Sequence, residues 1–324
     1  PPDVFIPNLC VPAYYASKWV KAAGIPTIGI LHSDDTFHHE LIEYFVSGLP
    51  EYRLSGIVAV SKFIESLVLE KKVSEVDVLH CPYGIPLPQK TCHEPADNLS
   101  LVYTGRLIQR QKRIFNVIDS LERAVLEVPG TRATLYGEDR EGGRVIDRIR
   151  SLNLGDKLTY GGLLQIEEIF ETLLKHHVFV LLSDYEGLSI ALMEAMGCGL
   201  VPVCTRTRSG ASEIISDNEN GLLVNNRVDD FLNAIRRLKT EKGLWSRLSK
   251  RARETIEKNY TIDICADKWA DFLNRLIEKA NTKSDISLPA INEIVLPPLN
   301  KTEDGISRED SRMPRSNTGQ NQFA

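Results

Sequence analysis

Long apolar runs are missing from this sequence, and none reaches the length a helix needs to cross a bilayer. A basic surplus is missing too. Lys and Arg number 39 against 44 Asp and Glu, a net charge of -5. That excludes nucleic acid as the main partner, while leaving room for a local basic pocket around a phosphate. Cysteine is sparse: Cys10, Cys81, Cys92, Cys198, Cys204 and Cys265 are scattered, with no C-x-x-C. His80-Cys81 and Cys92-His93 bring together potential zinc ligands, but their spacing fits no common zinc pattern, so no metal site is expected. Reduced thiols in a cytoplasmic protein are the simpler expectation. No G-x-G-x-x-G follows an early strand, which argues against a dinucleotide oxidoreductase.

What is present is a globular composition, 42% hydrophobic and 26% charged, over 324 residues, enough for two domains of ordinary size. Three stretches separate. In residues 1–97, short apolar runs alternate with helical patterns: Val4–Ile6, Pro26–Leu31 ending at His32, and Gly56–Val60 ending at Ser61 as strands, with helices over Ala13–Ala23 and Phe37–Ser47. This stretch closes in a linker, Cys81–Asp97, that holds Pro82, Pro86, Pro88 and Pro95. The chain opens on Pro1-Pro2-Asp3-Val4 without methionine, at what reads as the approach to a strand in mid-domain, so an incomplete first lobe is expected.

Residues 98–281 repeat the strand–helix rhythm more clearly. Strands are predicted at Ser100–Thr104, Thr131–Tyr136, Lys157–Tyr160, His177–Leu182, Leu200–Cys204 and Gly221–Val224. Helices are predicted at Ile114–Leu126, Ile166–Lys175, Ile190–Met196, Val228–Leu238, Gly243–Tyr260 and Ile262–Lys279. Such alternation predicts an α/β fold of doubly wound, Rossmann-like domains with parallel sheets, which bind ligands at the carboxyl ends of the strands. Residues 282–324 are rich in Ser, Pro, Asn, Asp and Arg, with one apolar patch, Ile294–Leu296, and are expected to be a disordered tail.

The chemistry concentrates in two places. Ser183-Asp184-Tyr185-Glu186-Gly187-Leu188-Ser189-Ile190 follows a buried strand and opens a helix. Gly187 allows close backbone approach. The helix start offers free N–H groups and a positive dipole end to a diphosphate. Glu186 and Glu194 can point into one crevice, where carboxylates suit vicinal hydroxyls. Glu194 has apolar neighbours, Ala191, Leu192, Ala195 and Met196, so it is expected to need a partner. The second place is Gly105-Arg106-Leu107 with Lys112. Here a guanidinium at a strand end can hold phosphate bidentately and an ammonium adds charge. Arg110, Lys112 and Arg113 oppose the dipole of the helix they start, a conflict that a bound polyanion would remove.

These segments resemble the family 4 (group 1) glycosyltransferases, retaining enzymes of the two-lobed GT-B fold. Val102–Leu107 with Gln111-Lys112 is similar to their "GRL…K" segment, and Ser183–Glu194 to their E-x7-E segment, followed by Ala195–Gly199. Ser209–Ile215 and Asn220–Val224 match the stretch that usually comes next. Val58–Ser61 and Pro82–Ile85 resemble the lobe junction.

The resemblance implies that Arg106 and Lys112 bind the donor diphosphate, that Glu186 contacts the transferred sugar, and that Glu194 contacts the ribose. It further implies that the Gly187, Leu188, Ser189 and Ile190 backbone holds sugar and phosphate oxygens, that Gly137, Glu138 and Gly161 lie near the base, that Gly105 beside Arg106 is part of the donor site, and that His32 faces the donor sugar. A structural role for His32 stands equally open. Two departures are visible. Asp139 stands where the family often has a second glycine, and the Gly-rich loop of the first lobe is absent.

The function so implied is transfer of a sugar from a UDP- or GDP-sugar to a carbohydrate or lipid-linked acceptor hydroxyl. It would proceed with retention and without a metal or other cofactor, in polysaccharide or glycoconjugate biosynthesis. A lipid-linked acceptor would bring peripheral contact with the membrane. The alternatives are a nucleotide-sugar-binding fragment without turnover and a nucleotide-sugar epimerase.

Overall fold

The structure, a computed structural model, describes residues 2–208, 210–280 and 283–288. The apolar patch Ile294–Leu296 and most of the expected tail lie outside the described residues. The chain divides into two compact units, Pro1–Cys81 with Asp267–Ala324, and Pro82–Ala266.

The first unit carries α1 (Val11–Ala22), β1 (Ile28–Leu31), α2 (Thr36–Phe45), β2 (Gly56–Ala59), α3 (Lys62–Lys71) and β3 (Asp77–His80). Its strands form a parallel sheet in the order β1-β2-β3. β2 reads Gly-Ile-Val-Ala and is buried at every position, the pattern of a parallel strand covered on both faces. Val4–Ile6, expected as a strand, makes only a single bridge, Phe5 to Thr27. The α2 cap is Asp35, whose carboxylate accepts from His38 N at 3.0 Å. α3 and β3 were not legible. β3 reads Asp-Val-Leu-His at the sheet edge, half-buried throughout, and shows neither an apolar run nor strict alternation.

The final helix, α12 (Ile262–Lys279), contributes its part from Asp267 onward to this unit. A Cβ on Gly56 would lie 2.8 Å from Phe272 Cζ, and Lys279 Nζ reaches Asp77 Oδ2 at 2.7 Å. Farther along, Ser284 N donates to Ala23 O at 2.9 Å and Lys283 pairs with Asp3, so these two residues are tied down.

The second unit holds β4 (Leu99–Thr104), α4 (Gln109–Lys112), α5 (Ile114–Glu127), β5 (Thr131–Tyr136), α6 (Arg144–Ser151), β6 (Leu158–Gly162), α7 (Ile169–Leu173), β7 (Val178–Leu181), α8 (Ile190–Gly197), β8 (Val201–Thr205), α9 (Ala211–Ile214), β9 (Leu222–Val224), α10 (Asp229–Thr240) and α11 (Leu244–Asn259). The six strands pair parallel throughout, in the order β6-β5-β4-β7-β8-β9. The chain starts at the centre with β4, winds outward to β6, then returns to β7 and winds the other way. The reversal puts a topological switch point between β4 and β7, where open parallel sheets leave a crevice at their carboxyl ends.

α5 packs through Ile114, Val117, Ile118, Leu121 and Val125, the i, i+3, i+4, i+7 stripe visible in the sequence. α6 buries only Val145 and Ile149, too few for its period to be read. The proline-rich stretch after Cys81 belongs to this unit. Ile85 pairs with Thr261, and Cys92 N donates to Cys198 O at 2.8 Å. Proline removed donors there without loosening the chain, because Ile85 and Cys92 are buried and their N–H groups are bonded to Tyr260 O and Cys198 O.

Candidate active site

Three strand ends are stitched together by glycine. Gly105 N, after β4, donates to Tyr136 O at 3.1 Å, and Gly137 N, after β5, donates to Gly162 O at 2.9 Å. Gly105 and Gly137 have φ of +149° and +145°. Gly137 lies so close to its neighbour that a Cβ would fall 1.8 Å from Gly105 O. Below them the buried Tyr103 hydroxyl donates to Arg106 O at 2.9 Å, which fixes where the Arg106 side chain starts. The Arg106 guanidinium is exposed and touches Gln111 Oε1 at 3.3 Å.

Across the switch point, the loop after β7 is irregular from Leu182 to Ser189 and is held by side chains. Thr205 Oγ1 donates to Ser183 O at 2.6 Å, Asp184 N to Gln111 O at 2.9 Å, and Gln111 Nε2 to Tyr185 O at 3.1 Å. Glu186 is only 5% exposed, and its Oε1 accepts from Lys112 Nζ at 2.6 Å. Asp184 pairs with both Arg113 and Arg227. Gly210 brings the loop after β8 against this one, since a Cβ on it would lie 2.9 Å from Gly187 O.

The cations at the start of α5 therefore meet carboxylates of the β7–α8 loop. The conflict with the helix dipole is relieved first within the chain, and a polyanion is not required to remove it.

Ser189 caps α8, accepting from Leu192 N at 3.3 Å. The remaining first-turn N–H groups of such a helix have no intrahelical acceptor and can donate to an anion. Glu194, one turn in, is half-buried, and no hydrogen bond or ion pair to its carboxylate is seen among the described residues. Burial pushes this carboxyl up to about 7. It is a hydrogen-bond acceptor whose ionisation hydroxyl donors would favour. Thr104 Oγ1 and Ser183 Oγ, at the ends of β4 and β7, are also buried without a partner among the described residues.

Other predicted positions look different. Glu138 is exposed and paired with Arg140. Gly161 makes room for the Tyr136 ring, whose Cε1 would be 2.1 Å from a Cβ there. Asp139 explains its own departure from glycine. Its Oδ2 accepts from Val145 N and Ile146 N at 3.1 and 3.3 Å, so the start of α6 is already occupied by an acid. Ile190, the first residue of α8, is exposed, whereas Gly187, Leu188 and Ser189 are buried. His32 belongs to the first unit, beyond β1, with Nε2 2.6 Å from Asn8 Oδ1. Arg227 and Asp184 were missed. They stand 43 positions apart, and no local pattern links them.

The family model described as "Glycosyl transferases group 1" matches residues 90–255. This chain belongs to the group 1 glycosyl transferases. Among curated relatives of this chain is the UDP-N-acetylglucosamine–peptide N-acetylglucosaminyltransferase GtfA subunit of Streptococcus parasanguinis. It is 24% identical over 245 residues, 70% of this chain and 47% of the relative. Another is N-acetyl-alpha-D-glucosaminyl L-malate synthase of Bacillus anthracis, 26% identical over 206 residues, 63% of this chain and 50% of the relative. The pneumococcal O-GlcNAc transferase GtfA, solved in complex with UDP and GlcNAc, superposes with a TM-score of 0.69 at 17% identity, over 81% of this chain and 54% of that one. The chain thus spans about half the length of these relatives. The fold expected from the strand–helix rhythm, parallel Rossmann-like α/β units, is the fold found.

Proposed function

We propose that the second unit binds a UDP- or GDP-sugar at the β4/β7 switch point, and that the protein to which it belongs transfers that sugar to an acceptor hydroxyl with retention. The observation that carries this is the convergence of Arg106, Lys112, Glu186 and the start of α8 on one crevice of the sheet. Arg106, with the α8 N-terminus, would stabilise the negative charge that grows on the diphosphate as the bond from the anomeric carbon to the phosphate oxygen breaks. The acceptor oxygen then bonds that carbon and its proton passes to the departing diphosphate oxygen. The same positive groups supply the charge stabilisation that a divalent metal provides elsewhere, so a metal-independent transfer is the corresponding proposal. Glu186, pinned by Lys112, would accept from sugar hydroxyls, and Glu194 from the ribose. The relatives whose names specify N-acetylglucosamine transfer, and the pneumococcal structure holding UDP, support a UDP-sugar first. Carbohydrate or lipid-linked acceptors both fit, the latter at the membrane surface. No helix among the described residues is long and apolar enough to cross a membrane. The free cysteines suit a reducing compartment, and we place the reaction in the cytoplasm.

Calorimetry with UDP and GDP tests the site. Arg106→Ala should weaken binding about 10- to 100-fold, the loss expected for one charge-assisted contact to phosphate. Equal affinity in the variant would remove Arg106 from the site. Donor hydrolysis and transfer, with Glu186→Ala as control, test the reaction. Binding with no turnover in any assay would reduce the chain to a nucleotide-binding module.

Glu194 gives a pH prediction. With the free carboxyl at about 7, ligand hydroxyls that favour its ionised form bind more tightly as pH rises and displace a proton below pH 7. UDP affinity should therefore climb by up to about tenfold per pH unit between pH 5.5 and 7 from this group, then level off. The comparison is with Glu194→Gln, which removes this component and leaves the nucleotide's own titration. Parallel pH profiles for the two proteins would mean that Glu194 does not meet the ligand.

A further inference from the structure

The β7–α8 loop carries Glu186 and leads into the α8 start, yet from Leu182 to Ser189 it has neither strand nor helix. Its position depends on what grips it. Asp184 is gripped on both carboxylate oxygens: Arg227 Nη2 donates to Oδ1 and Arg113 Nε to Oδ2. Arg227 takes a second hold, donating from Nε to Leu182 O at 2.7 Å, so one guanidinium binds the loop at two points two residues apart. A planar fork suits that task and a lysine does not.

Both arginines are referred to the same helix. Arg113 is the residue between α4 and α5 and has left-handed backbone, φ 52° and ψ 44°. For a residue with a side chain that conformation is unfavourable and persists only where the surroundings impose it. Here it turns the chain so that successive residues, Lys112 and Arg113, reach Glu186 and Asp184 on a single loop. Arg227 is pinned from behind, since Ser120 Oγ in α5 donates to Arg227 O at 2.5 Å and Arg123 in α5 holds Asp229 at 3.1 Å. The frame is thus α5, packed on the sheet by its apolar stripe.

We propose that Arg113, Asp184 and Arg227 form a positioning clamp that fixes the Glu186–Ser189 loop for the donor, and that Arg227 governs donor affinity without touching the donor. The proposal rests on the donor-site reading above. It adds to that site a residue from the turn before α10, 43 positions along the chain from Asp184. The clamp is also asymmetric in charge. Two guanidiniums share one carboxylate, so the clamp holds the loop while adding net positive charge beside an anion site.

The test uses the full chain and the variants Arg227→Met, Arg227→Lys and Asp184→Asn. UDP and GDP are the probes, with amide hydrogen exchange of residues 183–189 and thermal midpoints measured in parallel on ligand-free protein. Arg227→Met should weaken UDP or GDP binding by about tenfold or more, the scale of a loop displaced by a fraction of an ångström. It should speed exchange of residues 183–189 by a similar factor, while exchange in β4, β5 and β8 stays as in the parent. Arg227→Lys should recover less than half of either effect, because charge alone does not restore the two-point hold. Asp184→Asn should behave like Arg227→Met. Unchanged exchange of the loop in Arg227→Met overturns the clamp. So does full rescue by lysine, or faster exchange across the whole unit together with a fallen midpoint. If the parent binds neither UDP nor GDP, the donor-site reading fails, and the exchange measurements alone decide whether the clamp exists.

Discussion

Replacing Lys112 with methionine should destabilise the second unit by about 3–5 kcal/mol, the largest cost expected for any single charge among the described residues. The Lys112 and Glu186 side chains are 12% and 7% exposed and meet at 2.6 Å. Removing the ammonium leaves a carboxylate that is buried, charged and without its donor. Solvent cannot replace that donor without opening the loop. The size of the effect separates this pair from the many others on the surface. Arg150 and Asp147, for example, are 77% and 78% exposed at 3.9 Å, and such a pair is worth at most about 1 kcal/mol. Urea unfolding of Lys112→Met and Asp147→Ala should thus give very different midpoints with the same slope. Adding Glu186→Gln to Lys112→Met should return much of the loss, because the amide tolerates burial that the carboxylate does not. A cost under about 1 kcal/mol for Lys112→Met would mean that Glu186 finds water or another donor, and the pair would then be no more than a surface contact. The prediction concerns folding and holds whatever the ligand is, so it tests the geometry of the site separately from its function.

That geometry was partly legible in the sequence. The strands that flank the switch point are short and apolar, and each is followed by the residues that matter: Gly105-Arg106 after β4, Glu186-Gly187 after β7. Local pattern sufficed because a parallel strand buried on both faces reads as a continuous apolar run and its carboxyl end opens into the ligand crevice. What escaped was long-range or cancelled. Lys112 looked like a cation awaiting an anion from outside, whereas the fold supplies Glu186. Arg227 sits in a polar turn with nothing nearby to mark it, and its partner Asp184 looks like any loop acid. Asp139 was visible as a departure from glycine, but that its carboxylate caps the start of α6 depends on a loop closing back over six residues. The edge strand β3 and the polar helix α6 were missed for a single reason: each buries too little apolar surface for its periodicity to rise above its neighbours.

Gly137→Ala should be the most damaging glycine substitution in the second unit, and the reason lies in backbone. The added Cβ would fall 1.8 Å from Gly105 O, far inside contact distance. Neither partner can withdraw. Gly105 N is committed to Tyr136 O at 3.1 Å and Gly137 N to Gly162 O at 2.9 Å, so moving either strand end breaks the stitching of three strands. The backbone adds its own penalty, since a φ of +145° is unfavourable for any residue with a side chain. Gly142 separates the two effects. Its φ is +69°, yet a Cβ there would meet nothing within 4 Å. Gly142→Ala should therefore cost about 1 kcal/mol from conformation alone. Gly137→Ala should cost upward of about 3 kcal/mol, because conformation and collision combine. Thermal and urea midpoints of the two variants measure the difference, and soluble yield serves if Gly137→Ala does not fold. Equal costs would show that the β4 and β5 ends can part. That outcome would also loosen Arg106, whose main chain is fixed by the same stitching, and would move the weight of the site from the sheet to the loop that Lys112 and Arg227 hold.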